Sequence, residues 1–218
     1  MAPSDGTPQM RISSASHSRT ISPDWLLWIS WVLASTVSIL VGFALIYAAV
    51  FLAKAILPAI DEDGFVGTLM FPFLASVQGT FQWLVLRPRI PKSGWWVLAS
   101  GAGLLVAMAV AAGLVRAISI ALEREWTWHA SPQIVLLYGV IGFFLALVQL
   151  PILWRASKSA TVWPILGAIG WLALGLIVGT SIGGTLELFA VGAVPGAISG
   201  LGLVWILRTP RASRTSSA

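Results

Sequence analysis

The chain contains no cysteine, and only 10% of its 218 residues are charged. The absence of cysteine excludes disulfides, thiolate metal sites and cysteine nucleophiles. Its two histidines, His17 and His129, lie outside the long apolar segments, so no histidine is expected to ligate a haem or chlorophyll within a membrane. Hydrophobic residues, in contrast, make up 57% of the chain. A water-soluble domain of this length cannot bury that much apolar surface, so the composition predicts an integral membrane protein.

Acidic residues are missing from the middle of the apolar segments. A proton-coupled carrier or a carboxylate-based intramembrane hydrolase would need such a residue near mid-membrane. The sequence also has no H-E-x-x-H, G-x-S-x-G, Walker A or dinucleotide-binding motif. We therefore expect a protein that is not an enzyme and that has no cofactor and no metal site.

Six apolar segments follow one another, and each is long enough to cross about 30 Å of hydrocarbon as a helix. The fold class predicted is therefore all-α, with six transmembrane helices in a domain that covers residues 24–208. The predicted spans are 25–57, 65–86, 94–122, 132–154, 160–182 and 188–207. Residues 1–23 and 209–218 have too few large apolar groups to fold and are predicted to be mobile tails.

Basic residues gather at one set of span ends, and only Lys54, Arg116 and Arg124 lie at the other. Because Lys and Arg beside a span resist translocation, both termini are predicted to be cytoplasmic, which requires an even number of spans. The net charge of +5 is attributed to this membrane surface and not to nucleic acid, since the basic residues flank apolar runs.

One stretch of the chain recurs after 67 residues. QWLVLRPRIPKSGWWVLASGAG begins at Gln82, and a degenerate copy, QLPILWRASKSATVWPILGAIG, begins at Gln149, so that Trp96 aligns with Trp163. A unit of two spans returns the chain to the side of the membrane on which it began. Its copies are therefore expected to be helical hairpins with the same orientation.

A third copy is expected from weaker signals. Trp28 lies near the position one period before Trp96, and Leu203 takes the place of Gln82 in the last span, where no further span follows to supply an indole. Three hairpins around a pseudo-threefold axis are therefore predicted.

A carboxamide inside a span is costly unless it is hydrogen-bonded. Gln82 lies near the end of one span and Trp96 near the beginning of the next, at a similar depth. We expect Gln82 to accept a hydrogen bond from the indole N–H of Trp96, and Gln149 to accept one from Trp163. The alternative is that the two amides form a polar ligand site.

Tryptophans cluster near the span ends, where indoles prefer the membrane interface. This pattern favours anchoring over the binding of a flat pigment or quinone. The tryptophans at the basic ends are Trp25, Trp28, Trp83, Trp95, Trp96, Trp154, Trp163 and Trp205, while Trp126 and Trp128 mark the other side.

Glycine recurs every four residues in each of the last two spans, and such spacing makes a smooth stripe along a helix. The stripes are Gly175, Gly179 and Gly183 in the fifth span and Gly192, Gly196 and Gly200 in the sixth. We expect these two helices to touch closely, and gating at a kink made by Pro195 is the alternative use.

The first copy of the repeat contains G-x-x-Q-W-x-x-L-R at 79–87 and W-x6-G at 96–103. In these elements the chain resembles a group of bacterial polytopic membrane proteins of unassigned activity. The resemblance implies the bacterial cytoplasmic membrane and a repeated helical architecture, and it implies no catalytic residue. The structural or ligand-binding candidates are Gln82, Gln149, Trp83, Trp96, Trp163 and Arg87.

Three functions fit this pattern. The favoured one is a structural, accessory or assembly subunit of a membrane complex, because the spans are rich in small-residue faces and lack buried ionisable groups. The second is a small-solute permease or channel whose path passes Gln82, Gln149, Ser76, Thr80 and Ser199. The third is lipid or quinone binding between hairpins, in a groove near Trp95 and Trp96. The expected partners are the bilayer and other subunits, and a homo-oligomer remains open.

Overall fold

The computed structural model shows a bundle of helices. It describes residues 24–56, 62–122, 132–179 and 185–209, except for the side chains of 62–69, 122 and 185–187. The helices are α1 (Asp24–Ile56), α2 (Glu62–Leu86), α3 (Trp95–Leu122), α4 (Pro132–Trp154), α5 (Trp163–Gly179) and α6 (Thr185–Arg208). A short 3-10 helix, Lys158–Val162, precedes α5, and no strand occurs in these ranges. The predicted all-α class is thus confirmed. Both predicted tails lie outside the described residues, except for Thr209.

Five of the described helices have the length and composition to cross a membrane. They are α1, α3, α4, α5 with the 3-10 turn before it, and α6, with mean hydropathies of 1.9 to 2.4. In α2 the described side chains form a shorter apolar helix, Met70–Leu86. This architecture supports a multi-pass membrane protein. With 33 residues, α1 is about 50 Å long and exceeds the hydrocarbon thickness, so it must tilt or project.

The helices pack in chain order, and the last one closes on the first. Each helix contacts its successor, and α6 lies against α1. The turns from α2 to α3 and from α4 to α5 lie at one end of the bundle, where a buried apolar cluster joins Leu86, Leu153 and Leu203. We call this the basic end, because Arg87 and Arg155 lie there, and we call the other the far end.

The two glycine stripes do not face each other, contrary to the expectation from sequence. A Cβ on Gly192 would lie 2.6 Å from the carbonyl oxygen of Ser35 in α1, and one on Gly196 would lie 2.9 Å from the Ser35 Cβ. Gly200 lies against Trp28 and Trp31, which also belong to α1. The sixth-helix stripe therefore seats α6 on α1, because α6 lies between α5 and α1 and a single stripe can serve only one neighbour.

The fifth-helix glycines have a different partner. Gly175 packs against α4, where an added Cβ would lie 3.0 Å from the Cα of Val135, while Gly179 has open space around it. Gly183 lies outside the described residues. The contact between α5 and α6 is made instead through Gly170, whose Cβ position is 3.2 Å from the Cα of Pro195.

Candidate functional site

Gln82, near the end of α2, is bonded to both neighbouring helices. Its Oε1 accepts from the Nε1–H of Trp96 in α3 at 3.0 Å, and its Nε2 donates to the Oγ of Ser35 in α1 at 3.0 Å. All three side chains are buried. One carboxamide thus ties α2 to α1 and to α3.

Gln149 repeats this arrangement one period later. Its Oε1 accepts from the Nε1–H of Trp163 at 3.1 Å, and its Nε2 donates to the Oγ of Ser100 at 3.0 Å. It ties α4 to α5 and to α3. The indole–carboxamide hydrogen bonds predicted from the sequence are therefore present in both copies.

The serine partners were missed by the sequence analysis. The signal that could have found them is W-x3-S, which places Ser35 four residues after Trp31 and Ser100 four residues after Trp96. Residues at this spacing lie on the same helix face. Four residues after Trp163 the chain has Gly167 in place of serine, and an added Cβ there would lie 2.6 Å from the Cβ of Ala146, so a larger side chain has no room.

The indole of the first helix that joins this arrangement is Trp31 and not Trp28, which lies nearer to the position one period before Trp96. Trp31 donates from Nε1 to the Oγ of Ser199 in α6 at 3.0 Å, whereas Trp28 donates to the carbonyl oxygen of Ala197. Trp31 precedes Trp96 by 65 residues, two fewer than the period, so a rigid alignment misses it.

The last described helix, α6, also accepts a hydrogen bond from an indole, contrary to expectation. The supplier is α1, because closure of the ring brings Trp31 next to α6. The acceptor is Ser199, one turn before Leu203, and Leu203 itself is fully buried in the apolar cluster. This contact was not predicted from the sequence, because the first and last helices are far apart along the chain.

The three bonded indoles also touch one another. The ring centroids of Trp31, Trp96 and Trp163 are 5.8 to 6.2 Å apart, with edge-to-face angles between 63° and 78°. Such geometry favours aromatic pairs, because the positive ring edge meets the negative face. We call these residues the tryptophan cluster. They are at most 3% exposed, so the expectation that Trp96 and Trp163 anchor at the lipid interface was wrong.

Other tryptophans at the basic end do face outward. Trp25 and Trp95 are about 60% exposed, and Trp205 is also exposed. Trp83 is packed partly against the apolar cluster, and the guanidinium of Arg87 lies 5.6 Å from the centre of its ring. Trp126 and Trp128 lie outside the described residues. Interface anchoring thus fits the exposed tryptophans but not the buried ones.

Together these hydrogen bonds link every neighbouring helix pair described except α5 and α6. The tryptophan cluster lies across the bundle axis, and beside it is a small cavity of about 50 Å³ that the side chains of Gln82, Gln149 and Ser199 help to line. This space is enough for a few water molecules. The basic end of the bundle is therefore closed.

The half of the bundle toward the far end contains more internal space than the basic end. A cavity of about 610 Å³ lies on the bundle axis, and its wall is almost entirely apolar. We call it the far cavity. Gln78 and Trp171 border both this cavity and the small one beneath it.

Two shallower grooves open on the outside of the basic end. One, of about 300 Å³, runs between α3 and α4 and is lined by Trp95 and Arg155. The other, of about 360 Å³, runs between α1 and α6 and contains Asp24, whose carboxylate accepts from the Nε of Arg208 at 2.8 Å.

Comparisons with protein-family models, curated proteins and solved structures give no match to this chain.

Proposed function

We propose that this is a non-enzymatic, six-span protein of a bacterial cytoplasmic membrane that acts as a structural, accessory or assembly subunit of a membrane complex. The supporting observation is that Gln82 and Gln149 are both bonded to neighbouring helices on two sides. A carboxamide whose oxygen and nitrogen are engaged in this way holds helices together and is not free to recognise a solute.

The proposed architecture is three parallel hairpins around a pseudo-threefold axis, with both termini in the cytoplasm. Its support is the recurrence of one contact: an indole N–H meets an acceptor on the preceding helix of the ring at Trp96, at Trp163 and at Trp31. In this proposal α2 is the sixth span, and the basic end faces the cytoplasm.

The permease alternative has less support. The hydroxyl of Ser76 donates to the carbonyl oxygen of Pro72, and that of Thr80 donates to Ser76, so both are engaged by their own helix. Ser199 donates to Pro195 and accepts from Trp31. A solute path along the axis would have to break these bonds and part the tryptophan cluster.

The subunit role is tested by affinity purification of the full-length protein in mild detergent after cross-linking in cells, with mass spectrometry of the co-eluting proteins. A reproducible partner is expected, recovered in smaller amounts with Gln82→Leu, which loosens the bundle. Gln78→Leu is the matched control, because Gln78 lies one turn away on α2 and bonds to no described residue. Recovery of the protein alone, together with solute movement in liposomes, would contradict the proposal.

A second candidate function, lipid binding between hairpins, is favoured by the groove between α3 and α4. The groove combines an exposed indole, Trp95, with Arg155, which makes no ion pair with a described residue. Basic pockets between helices at this level bind anionic lipid head groups. Arg155→Gln is expected to lower the amount of anionic lipid retained on the purified protein in native mass spectrometry, whereas Lys158→Gln, outside the groove, is not. Equal retention would exclude this site.

A further inference from the structure

The far cavity is enclosed by the whole bundle and not by one pair of helices. Each helix supplies at least one residue to its wall: Ile39, Phe71, Leu104, Leu137, Trp171 and Val191. Its volume of about 610 Å³ falls within the range of small-molecule sites, roughly 300–1,000 Å³. The closed tryptophan cluster lies beneath it, so the cavity is a pocket and not a pore.

The polarity of the cavity wall varies along the bundle axis. Arg116 is the one charged side chain among the described residues of the wall, and it makes no ion pair with a described residue. Gln78 supplies a carboxamide that bonds to no described residue. Between the two, the wall consists chiefly of aliphatic and aromatic side chains.

Arg116 and Gln78 lie at opposite ends of this mainly apolar space. Gln78 comes eight residues before the end of α2, which places it about 12 Å from the basic end, and Trp171 is at a similar depth in α5. Arg116 comes 21 residues after the start of α3, about 32 Å from that end. The cavity therefore has a cationic end near the far interface and a neutral, hydrogen-bonding floor.

We propose that the far cavity binds a single-chain amphiphile with a carboxylate head, that is, a long-chain carboxylate. Its head group pairs with the guanidinium of Arg116, and its chain runs inward between the six helices toward Gln78 and Trp171. The positive charge of Arg116 in the wall favours an anionic head group. The cavity is a single space lined by all six helices, so it suits a ligand with one hydrocarbon chain.

The binding test uses the full-length protein in nanodiscs of neutral lipid, with radiolabelled palmitate as the probe. Saturable binding is expected, and the methyl ester of palmitate, which has the same chain but no charge, should bind more weakly. Arg116→Gln should weaken palmitate binding by about tenfold, since a hydrogen bond to a charged group contributes on that scale. Lys54→Gln is the matched control, as Lys54 is a basic residue at the same end that does not line the cavity.

The position of the chain is tested separately. Ala111 in the wall is buried, and Ala111→Phe should fill the cavity and abolish binding. A palmitate brominated at the end of its chain should quench the fluorescence of Trp171, so the quenched fraction should fall in Trp171→Phe and not in Trp154→Phe. The second measurement needs no bulky substitution and so does not depend on whether Ala111→Phe folds.

Three results of the affinity and quenching measurements would overturn the inference. They are equal palmitate affinity in the wild type and Arg116→Gln, equal affinity for palmitate and its ester, and quenching that is unchanged in Trp171→Phe. Persistence of binding in a folded Ala111→Phe protein would do the same, since it would place the probe on the lipid-facing surface.

Discussion

At the scale of single residues, the basic end is held by side chains that hydrocarbon tolerates poorly. An unpaired amide or indole N–H has no water to bond with inside a bilayer, so each must find a partner within the protein. Gln82 satisfies its oxygen with Trp96 and its nitrogen with Ser35. The same groups that would be costly alone therefore fix the positions of three helices when they are bonded together.

The first prediction concerns this amide. Gln82→Leu should lower the free energy of unfolding by about 1–2 kcal/mol, because it removes two interhelical hydrogen bonds and leaves the Trp96 N–H without its acceptor. Gln78→Leu on the same helix should cause no such loss. The measurement is denaturant unfolding of the purified protein in detergent, and equal midpoints for the two variants would contradict the assigned role.

The second prediction uses the adjacent pair Trp95 and Trp96. Trp96 is fully buried, bonded and in contact with two other indoles, whereas Trp95 is 61% exposed. Trp96→Ala should therefore cost about 3–5 kcal/mol, as expected for a large buried aromatic, and Trp95→Ala should cost much less. The same unfolding assay compares them, and a similar loss in both would show that burial does not decide their roles.

At the scale of the helices, small residues set which faces meet. Gly142 of α4 and Gly167 of α5 allow close backbone approach: a Cβ at Gly142 would lie 2.5 Å from the carbonyl oxygen of Gly167. Gly192 does the same for α6 against α1. Close approach increases dispersion contacts, which matter in lipid, where the hydrophobic effect does not drive helices together.

The third prediction separates a packing glycine from a free one. Gly192→Ala should destabilise the protein by about 1–3 kcal/mol, because the new methyl group meets the backbone of α1, which cannot move without shifting a helix. Gly113→Ala should be neutral or stabilise by about 0.5–1 kcal/mol, since nothing lies within 4 Å and alanine favours the helix. Thermal unfolding in detergent decides the signs, and a stabilised Gly192→Ala protein would refute the close contact.

At the scale of the whole molecule, the closure of α6 on α1 makes a ring that is tight at one end and hollow at the other. The tryptophan cluster fills the axis at the basic end, while the far cavity leaves it open beyond Gln78. This difference between the two ends gives the bundle an apolar cavity that the tryptophan cluster closes off from the basic end.

The fourth prediction tests whether α2 crosses the membrane. The chain has no cysteine, so single cysteines report without background. Lys54 lies in the last turn of α1, and Pro91 lies in the turn after α2, so that the two flank α2. Lys54→Cys should react with an impermeant maleimide in intact cells, and Pro91→Cys only after permeabilisation. Identical labelling of both positions would mean that α2 does not span.

The chain itself determined the class of protein and the local bonds. Long apolar segments with charges at their ends are stable only in a bilayer. A short turn between two spans brings Gln82 next to Trp96, whatever the arrangement of the remaining helices. For this reason the helices and both indole–carboxamide bonds were foreseeable from the residues.

Only the tertiary structure decided how the ends of the chain meet. The seating of α6 on α1 selected Trp31 as the third indole, turned the Gly192 stripe away from α5 and enclosed the far cavity. These features depend on contacts between residues more than 150 positions apart or on the joint shape of six helices. Spacing along one helix specifies a face, but the neighbour that covers this face is chosen by the packing of all of them.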